Sequence, residues 1–336
     1  MTSPSPSPGL SRRALLLAGT ATAFAACTRT PTPATSDPRP VPATSTTEPT
    51  ASASPSPSPT PTWTDPLPVG PFTALIAGTD TWEDPTRGRP DAILVAQLNA
   101  ARDHLALVSL PRDAWVPIDG GREGKVNSGY GGDIERLTRT VSAVLGGLPI
   151  HATALTGFAG YTAIVNALGE FHVDNAIEST FIDPNNGRPS HFAQGRITLT
   201  PEDWLVYARQ RKELPRGDLD RTARHRAILL GMLRRVREIA TSDAPALAGL
   251  AAAAADHVLV TGPVTPASLL ALAPKLVQLD ADSVTTLMVP VSGFGTRGGQ
   301  SVTLLDARLT SDLAAALASG DVRAYAAATS GNPRTR

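Results

Sequence analysis

The chain is poor in cysteine and in aromatic residues, and it carries no net charge. Its 336 residues include one cysteine, which excludes an internal disulfide and a zinc site built from several thiolates. Lysine and arginine total 30, as do aspartate and glutamate, so the composition argues against a nucleic-acid-binding protein. Aromatic residues make up only 4%, which leaves few side chains for stacking against sugars.

Four common functional motifs are also missing. The sequence has no Gly-x-x-x-x-Gly-Lys-Ser/Thr phosphate loop, no Gly-x-Ser-x-Gly elbow, no His-Glu-x-x-His and no convincing Gly-x-Gly-x-x-Gly after a strand. Nucleotide-triphosphate-binding proteins and serine hydrolases therefore lose their main sequence support.

The N-terminus has the pattern of an export signal. Arg12 and Arg13 precede a run of 13 mostly apolar residues, Ala14–Ala26, far short of the roughly 20 needed to span a bilayer. This string resembles a twin-arginine signal, and the small residues before Cys27 resemble a lipoprotein cleavage box, with Phe24 where leucine is usual. We predict a twin-arginine-type lipoprotein signal peptide over residues 1–27 and a lipid anchor at Cys27. The alternative is a thiol that is cleaved off with the leader.

The next segment is rich in proline, serine and threonine. Of the 31 prolines in the chain, 16 precede Thr73. Alternating Ser-Pro favours extended polyproline II, at about 3.1 Å per residue. We predict a disordered tether over residues 28–71 and a protein that works outside the cytoplasm, anchored by lipid to the outer face of the bacterial cytoplasmic membrane. A short tail is predicted over residues 322–336.

Residues 72–321 alternate between strand-like and helix-like patterns. Three short apolar runs, Phe72–Ala77, Ala92–Leu98 and His104–Leu110, predict neighbouring strands, with the second and third antiparallel because a polar link of hairpin length joins them. Further patterns predict a last strand at Val284–Val291 and helices at Leu137–Leu145, Phe158–Leu168, from Thr200 onward, from Asp220 to about Ile239, Ala244–Asp256 and Leu309–Ala318. This order predicts an α/β fold: a three-layer α/β/α single domain with a mixed central sheet.

Two acidic residues stand at the ends of predicted neighbouring strands. Asp80 follows the first strand and Asp91 precedes the second, so their carboxylates are candidates to hold Mg²⁺ together with phosphate oxygens. The alternative is that Asp80 forms a turn and Asp91 begins a strand.

Arginine residues are the second candidate group. Arg112 follows a proline that ends the third strand, where it is placed to meet a ligand or to pair with Asp113. Arg209 and Arg211 lie two residues apart, so they share a target only if the helix ends after Tyr207.

The next helix adds further basic residues. Arg221 shares a helix face with Arg224 or His225, and either Asp218 or Asp220 would cap the helix. Together with Arg89 and Arg112, these arginines suit bidentate phosphate recognition. The alternative is a solvated basic face.

Five short segments, taken in order, resemble the LytR-CpsA-Psr proteins of Gram-positive bacterial envelopes. They are Phe72–Asp80 with Arg89–Asp91, Val108–Asp113, Lys125–Gly132, Tyr207–Arg211 and Gly217–Arg221. The resemblance implies an enzyme that moves a glycopolymer from a polyprenyl-pyrophosphate carrier to peptidoglycan, leaving a phosphodiester. It also implies an apolar tunnel for the prenyl chain between the sheet and the helices.

The resemblance assigns roles to residues of this sequence. It implies that Asp80 and Asp91 hold Mg²⁺ and that five arginines grip the pyrophosphate: Arg89, Arg112, Arg209, Arg211 and Arg221. Asp218 matches a family acid near the same site. We expect Asp91, Arg112 and Asp218 to take part in catalysis, with either acid as the candidate base.

The sequence departs from the family pattern at three positions. Pro90 replaces the usual serine or threonine, Trp82 stands near a frequent arginine, and His225 replaces a frequent glutamine. None of these changes removes a predicted metal or phosphate residue. Two other functions stay open: a lipoprotein that binds polyprenyl phosphates without catalysis, and a hydrolase of the polyprenyl-pyrophosphate glycan. A solute-binding lipoprotein is a third and weaker alternative, because it gives no reason for the arginine set.

Overall fold

The computed structural model describes residues 63–182, 187–280, 282–332 and 334–335. The predicted signal peptide, most of the predicted tether and Cys27 lie outside these residues. Within the described part of the chain, no helix is both long and apolar enough to cross a membrane.

Strands and helices alternate along the described chain. The strands are β1 (Phe72–Thr79), β2 (Pro90–Leu98), β3 (Leu105–Ser109), β4 (Trp115–Ile118), β5 (Arg122–Lys125), β6 (Ala152–Thr156), β7 (Phe171–Asn175), β8 (Ser179–Ile182), β9 (Pro189–Phe192), β10 (Gly195–Leu199), β11 (Leu259–Thr261), β12 (Val284–Met288), β13 (Val291–Arg297) and β14 (Gln300–Leu305). The helices are α1 (Ile134–Val144), α2 (Phe158–Leu168), α3 (Trp204–Arg209), α4 (Asp218–Ser242), α5 (Ala244–His257), α6 (Pro266–Leu276), α7 (Ala307–Ser319) and α8 (Arg323–Ala328).

Six strands form a mixed central sheet in the order β11-β6-β1-β2-β3-β12. The pairs β1–β2 and β2–β3 are antiparallel, as is β11–β6, whereas β1–β6 and β3–β12 are parallel. The mixed sheet and the antiparallel pairing of the second and third strands confirm the sequence prediction. The remaining strands form two-stranded antiparallel sheets: the hairpins β4–β5, β8–β9 and β13–β14, and the pair β7–β10.

The sheet separates two differently packed faces, which confirms the three-layer prediction. Because side chains alternate along a strand, Leu75 and Ala77 of β1 face a core formed with α1, α7 and α8. This core is well filled, and Leu137 of α1 and Leu313 of α7 are fully buried in it. On the other face, Ile76 of β1 lines a cavity beneath α2, α3 and α4.

The packed domain extends past both predicted boundaries, residues 72 and 321. Before β1, Trp63 and Leu67 pack against the sheet, and the guanidinium of Arg102 donates to the carbonyls of Pro68 and Gly70 at 2.7 and 2.8 Å. After α7, the predicted tail contains α8, whose Tyr325 belongs to the core. Short apolar stretches among many alanines gave no periodic signal for this helix.

Two further sequence predictions are corrected. The predicted strand Val284–Val291 is two strands, β12 and β13, because Pro290 interrupts the ladder between them. Helix α4 begins at Asp218 rather than after Asp220, and neither acid caps it, since its N-cap is Gly217 with a φ of 55°. The Asp220 carboxylate instead accepts hydrogen bonds from the backbone N–H and Nε of Arg216, both at 2.7 Å.

Candidate functional site

A β-bulge directs Asp91 out of the sheet. Gly78 pairs with Ala92, but the next residue, Thr79, pairs with Pro90, so Asp91 is an extra residue without a partner across β1. A bulge of this kind bends the strand and re-aims the side chain of the extra residue. The Asp91 carboxylate consequently lies at the end of the sheet, 21% exposed, where other charged groups meet it.

Two arginines from distant parts of the chain hold this carboxylate. Arg112, just past the end of β3, donates from Nη1 to Oδ1 of Asp91. Arg221, in the first turns of α4, donates from Nη1 to Oδ2 at 3.1 Å and from Nη2 to the Asp91 carbonyl at 3.3 Å. Burial alone would raise the pKa of Asp91, but the hydrogen bonds and charges of the two guanidinium groups outweigh burial and lower that pKa.

Asp218 lies on the other side of the same arginines. Its Oδ1 is 2.8 Å from Nη2 of Arg221, 3.1 Å from Nε of Arg211 and 3.5 Å from Nε of Arg112. We call Asp91, Arg112, Arg211, Asp218 and Arg221 the charge cluster. It brings together five of the sequence-predicted residues, whose roles in catalysis and binding remain predictions.

The charge cluster has unused hydrogen-bonding capacity. Among the described residues, Nε of Arg112, Nε of Arg221 and both carboxylate oxygens of Asp218 are buried without a hydrogen-bond partner, although ion pairs surround them. Leaving such groups unpaired costs about 1–3 kcal/mol each. The cluster therefore offers donors to an anion and acceptors to a hydroxyl group.

Arg89 and Asp80 lie next to this cluster and pair with each other. Oδ1 of Asp80 accepts the backbone N–H of Arg89 at 2.7 Å, and Oδ2 is 3.5 Å from the Arg89 guanidinium. The Arg89 side chain is 76% exposed. Both residues lie at the same end of the sheet as Asp91, and within the described part of the chain neither forms a hydrogen bond or ion pair with the charge cluster.

The side chains of Arg209 and Arg211 extend in different directions. Helix α3 ends at Arg209, and Gln210 has an extended ψ of 130°, so the helical path ends between the two arginines. The Arg211 side chain joins the charge cluster, whereas the Arg209 guanidinium stacks over the Phe158 ring at 5.0 Å. The two residues thus face separate cavities instead of one shared target.

Arg224 does not belong to the site. It is buried behind α3. Its guanidinium donates to Gln210 at 2.7 Å and to Ser179, and it stacks over the Tyr207 ring at 4.3 Å. Of the two residues expected to share a helix face with Arg221, the structure places His225 beside it on the lining of one cavity and turns Arg224 away. Its position one helical turn later turns the side chain toward the packed β8–β9 hairpin.

Two cavities meet at the charge cluster. The first, of about 110 Å³, lies between β1, β2 and helices α2 to α4, with an almost wholly apolar lining that reaches Asp91, Arg209 and Arg221 at one end. The second, of about 690 Å³, is polar and is lined by Arg89, Arg112, Arg211 and Asp218. We call them the apolar cavity and the polar cavity.

His225 lines the apolar cavity as a neutral imidazole. Its Nε2–H donates to the Ala208 carbonyl at 2.9 Å, which leaves Nδ1 as the unprotonated nitrogen. Burial, with a contribution from the nearby charge of Arg221, lowers its pKa to about 4.

Asp80 and Asp91 have the chemistry that a magnesium ion prefers. Mg²⁺ is commonly held by one or two carboxylates together with substrate phosphates. Asp80 and Asp91 are two carboxylates at neighbouring strand ends, each with partial solvent access. Within the described residues, no group of three or more acidic, histidine or cysteine side chains is arranged to hold a metal ion by itself. The donor set fits Mg²⁺ only when phosphate oxygens complete the coordination.

Several residues of the polar cavity have no function predicted from the sequence. Lys125 pairs with Asp113 at 2.8 Å beside Arg112, and Trp115 and Phe294 lie along the cavity wall. They come from the hairpins β4–β5 and β13–β14, whose short polar or glycine-rich strands have weak patterns. Only the position of Lys125 inside a family-like segment pointed to this region.

Comparisons with solved structures define the class of the fold. The chain is similar to the crystal structure of B. subtilis TagV, with a TM-score of 0.63 and 24% identity, covering 76% of this chain and 98% of that one. It is also similar to a structure of TagT bound to LIIa-WTA, with a TM-score of 0.57 and 19% identity over 75% of this chain and 90% of that one. At these identities the likeness establishes a shared fold.

Sequence comparison gives the family. The model of the LytR_cpsA_psr family matches residues 42–317, so the chain belongs to the LytR-CpsA-Psr family. Relatives include the polyisoprenyl-teichoic acid--peptidoglycan teichoic acid transferases TagU of Bacillus cereus (strain AH820), 34% identical over 167 residues, and of Enterococcus faecalis (strain ATCC 700802 / V583), 35% identical over 170 residues. The matches cover 49% of this chain and 52% and 54% of those relatives, about half of their length.

The lowered pKa of His225 predicts a pH dependence of stability. Between pH 6.5 and about 4, the unfolded chain binds a proton at this residue that the folded chain excludes. Stability should therefore be fully present above pH 6.5 and fall as the pH drops toward 4. In His225→Gln, thermal unfolding midpoints measured across this range should fall less steeply.

The exposed His191 provides the matched control. His191→Gln should keep the steep wild-type dependence. Equal pH slopes in the wild type and His225→Gln would show that His225 does not carry this effect.

Proposed function

We propose that this protein transfers a glycopolymer from a polyprenyl-pyrophosphate carrier to peptidoglycan, forming a phosphodiester. Family membership and the transferase names of the relatives support this reaction class. The observation that carries the proposal is the position of the charge cluster, which joins an apolar cavity to a polar one. A prenyl-pyrophosphate-glycan has the same order of parts: an apolar chain, two phosphates and a polar polymer.

The charge cluster suits the pyrophosphate. The Arg112 side chain is 15% exposed and lines the polar cavity, and Arg221 lines the apolar cavity, so both arginines border the space where the phosphates would lie. Arginine forms bidentate, charge-assisted hydrogen bonds with phosphate. Arg211 on the polar side and Arg209 on the apolar side extend the positive charge along the bound group, and Arg89 adds an exposed charge at the rim.

The reaction needs no covalent enzyme intermediate. A peptidoglycan hydroxyl oxygen bonds to the sugar-side phosphorus, the bond from that phosphorus to the bridging oxygen breaks, and polyprenyl phosphate leaves with the electron pair. Negative charge grows on the leaving phosphate, and the guanidinium groups of Arg112 and Arg221 stabilise it. Positioning and electrostatics of this kind supply most of the catalysis in phosphoryl transfer.

Asp218 is the better of the two candidate bases. The Asp91 carboxylate accepts from two arginines, and its lowered pKa makes it a weak proton acceptor. Asp218 lines the polar cavity; its Oδ1 is ion-paired with Arg112, Arg211 and Arg221, whereas its Oδ2 makes no hydrogen bond within the described residues. A hydroxyl group in the polar cavity can donate to Asp218 and lose its proton there, while Asp91 orients Arg112 and Arg221.

Mg²⁺ is part of the proposal. Asp80 and Asp91 would hold it together with the phosphate oxygens of the substrate. When bound, the ion would neutralise charge on the pyrophosphate.

Two rivals use the same residues. A polyprenyl-phosphate-binding lipoprotein would bind the carrier and leave it unchanged, and a hydrolase would use water in place of the peptidoglycan hydroxyl. Incubation with and without peptidoglycan separates them. Only a transferase yields a peptidoglycan-linked product, whereas a hydrolase releases the glycan equally in both mixtures.

Loss of Arg112 should abolish most of the transfer. In Arg112→Ala, removal of a guanidinium that stabilises transition-state charge should lower the initial rate by about a hundredfold or more. The measurement is the formation of peptidoglycan-linked glycan from a purified prenyl-pyrophosphate donor. Arg308→Ala, on the exposed face of α7, is the matched control and should retain wild-type activity. Wild-type turnover in a folded Arg112→Ala protein would remove the arginine from the mechanism.

Transfer should depend on magnesium through Asp80. Chelation with EDTA should stop the reaction, and added Mg²⁺ should restore it. In Asp80→Asn the Mg²⁺ concentration for half-maximal activity should rise by at least about tenfold, or about 1.4 kcal/mol. Asp84→Asn changes a carboxylate in the same loop that contacts its loop neighbours Thr86 and Arg87, and it should keep the wild-type requirement. Full activity in EDTA would exclude the metal.

The location outside the cytoplasm and the lipid anchor also belong to the proposal. The leader pattern around Arg12, Arg13 and Cys27 supports export followed by acylation, which would hold the protein at the outer leaflet of the cytoplasmic membrane. In the producing cells, Cys27→Ser should move the protein from the membrane fraction to the soluble fraction, and mass spectrometry should find no diacylglyceryl group. A variant that stays in the membrane fraction would refute the anchor.

A further inference from the structure

The polar cavity extends well beyond the charge cluster. From Arg112 and Asp218 it continues between the hairpins β4–β5 and β13–β14. A pyrophosphate needs only the end of the cavity that holds the arginines. The rest, in a total of about 690 Å³, is available to another part of a substrate.

Backbone hydrogen bonds fix both hairpins to the charge cluster. The Thr303 N–H of β14 donates to the carbonyl of Asp113 at 2.9 Å, and the Asn127 N–H after β5 donates to the carbonyl of Arg112 at 3.2 Å. Asp113 is the neighbour of Arg112 along the chain. The walls of the cavity are therefore held at a constant distance from the reacting groups.

An exposed aromatic side chain lies on one of these walls. Phe294 of β13 is 61% exposed, in a protein with only seven phenylalanines. It pairs across the hairpin with Thr303, and glycines at 293 and 295 flank it along the strand. Because most of the ring is exposed to solvent and the residue lines the cavity, its apolar face is accessible to a ligand there.

The opposite hairpin supplies an oriented indole and polar groups. Trp115 of β4 donates from Nε1 to Glu123 across the hairpin at 3.0 Å, which fixes the plane of its ring. Asn127, Ser128 and Ser301 add amide and hydroxyl groups to the lining. Aromatic faces combined with a few placed polar groups are a common arrangement for sugar rings, which have apolar C–H faces and polar hydroxyl edges.

We propose that the hairpin end of the polar cavity binds the glycan strand of the acceptor, with Phe294 as a stacking surface for a sugar ring. This inference rests on the proposed function. An in-line displacement places the attacking and leaving oxygens on opposite sides of the phosphorus. Since the leaving prenyl phosphate lies toward the apolar cavity, the acceptor hydroxyl approaches from the polar cavity. Asp218 is on that side, and Phe294 lies along the same cavity.

The test is the kinetics of Phe294→Ala in the full-length protein. With saturating donor, the KM for peptidoglycan glycan fragments should rise by about tenfold, the loss expected for about 1.4 kcal/mol of stacking. The KM for the donor should not change. Phe294→Tyr keeps the ring and should restore the wild-type KM for the acceptor. Ile182→Ala, at an exposed apolar side chain on β8, is the matched control and should match the wild type.

Direct binding separates this inference from the proposed function. Soluble, uncrosslinked glycan fragments of peptidoglycan should bind the wild type in titration calorimetry and bind Phe294→Ala about tenfold more weakly. Binding of this kind without transfer would support the glycan site and refute the transferase. Transfer by the wild type with an unchanged acceptor KM in Phe294→Ala would overturn the inference alone. A raised donor KM in Phe294→Ala would also overturn it, because Phe294 at the hairpin end of the cavity would then contact the donor glycan instead of the acceptor.

Discussion

The organisation of this site depends on the ion pairs between one carboxylate and two guanidinium groups. Asp91 at the start of β2 accepts from Arg112 after β3 and from Arg221 in α4, so it connects the sheet to the longest helix. Partly buried charges of this kind are stable only when each has a partner. The folded chain must therefore close the sheet and dock α4 before the three side chains can meet.

The same ion pairs lie between two cavities with different linings. On one side of Asp91, the face of the sheet that carries Ile76 and Leu94 is covered by helices without being filled, which leaves an apolar cavity. On the other side, two hairpins surround a polar cavity. The charged groups lie at the boundary, where an amphipathic substrate changes from apolar to polar. The order of an apolar cavity, charged groups and a polar cavity, more than any single residue, supports a role in handling lipid-linked polymers.

The sequence predicted the central sheet and the site residues near it better than the surrounding parts. The strands containing Leu75, Ile93 and Val108 are continuous apolar runs, as buried strands require, and the proline before Arg112 marked the end of a strand. The direction of Arg224 was not predictable, because helical spacing places it near Arg221 and only the packing of the β8–β9 hairpin draws it away. The bulge at Asp91 also left no sequence signal, since it arises from the pairing register.

The hairpins that form the polar cavity were missed for a related reason. Strands such as β5, with the sequence Arg-Glu-Gly-Lys, have no apolar alternation, and β5 is held by antiparallel pairing with β4. Phe294 stands between glycines, which disfavour a strand prediction. Tertiary contacts, which a single sequence does not reveal, decide the structure of these segments.

Arg221 connects the two cavities. It lines the apolar cavity and also contacts Asp218, which lines the polar one. A ligand that draws this guanidinium toward one side weakens its attraction for the carboxylate on the other. By thermodynamic linkage, two ligands that both act on this guanidinium would change each other's affinity by the same factor. Under the proposed function, binding of the lipid and binding of the glycan would be coupled through this single side chain.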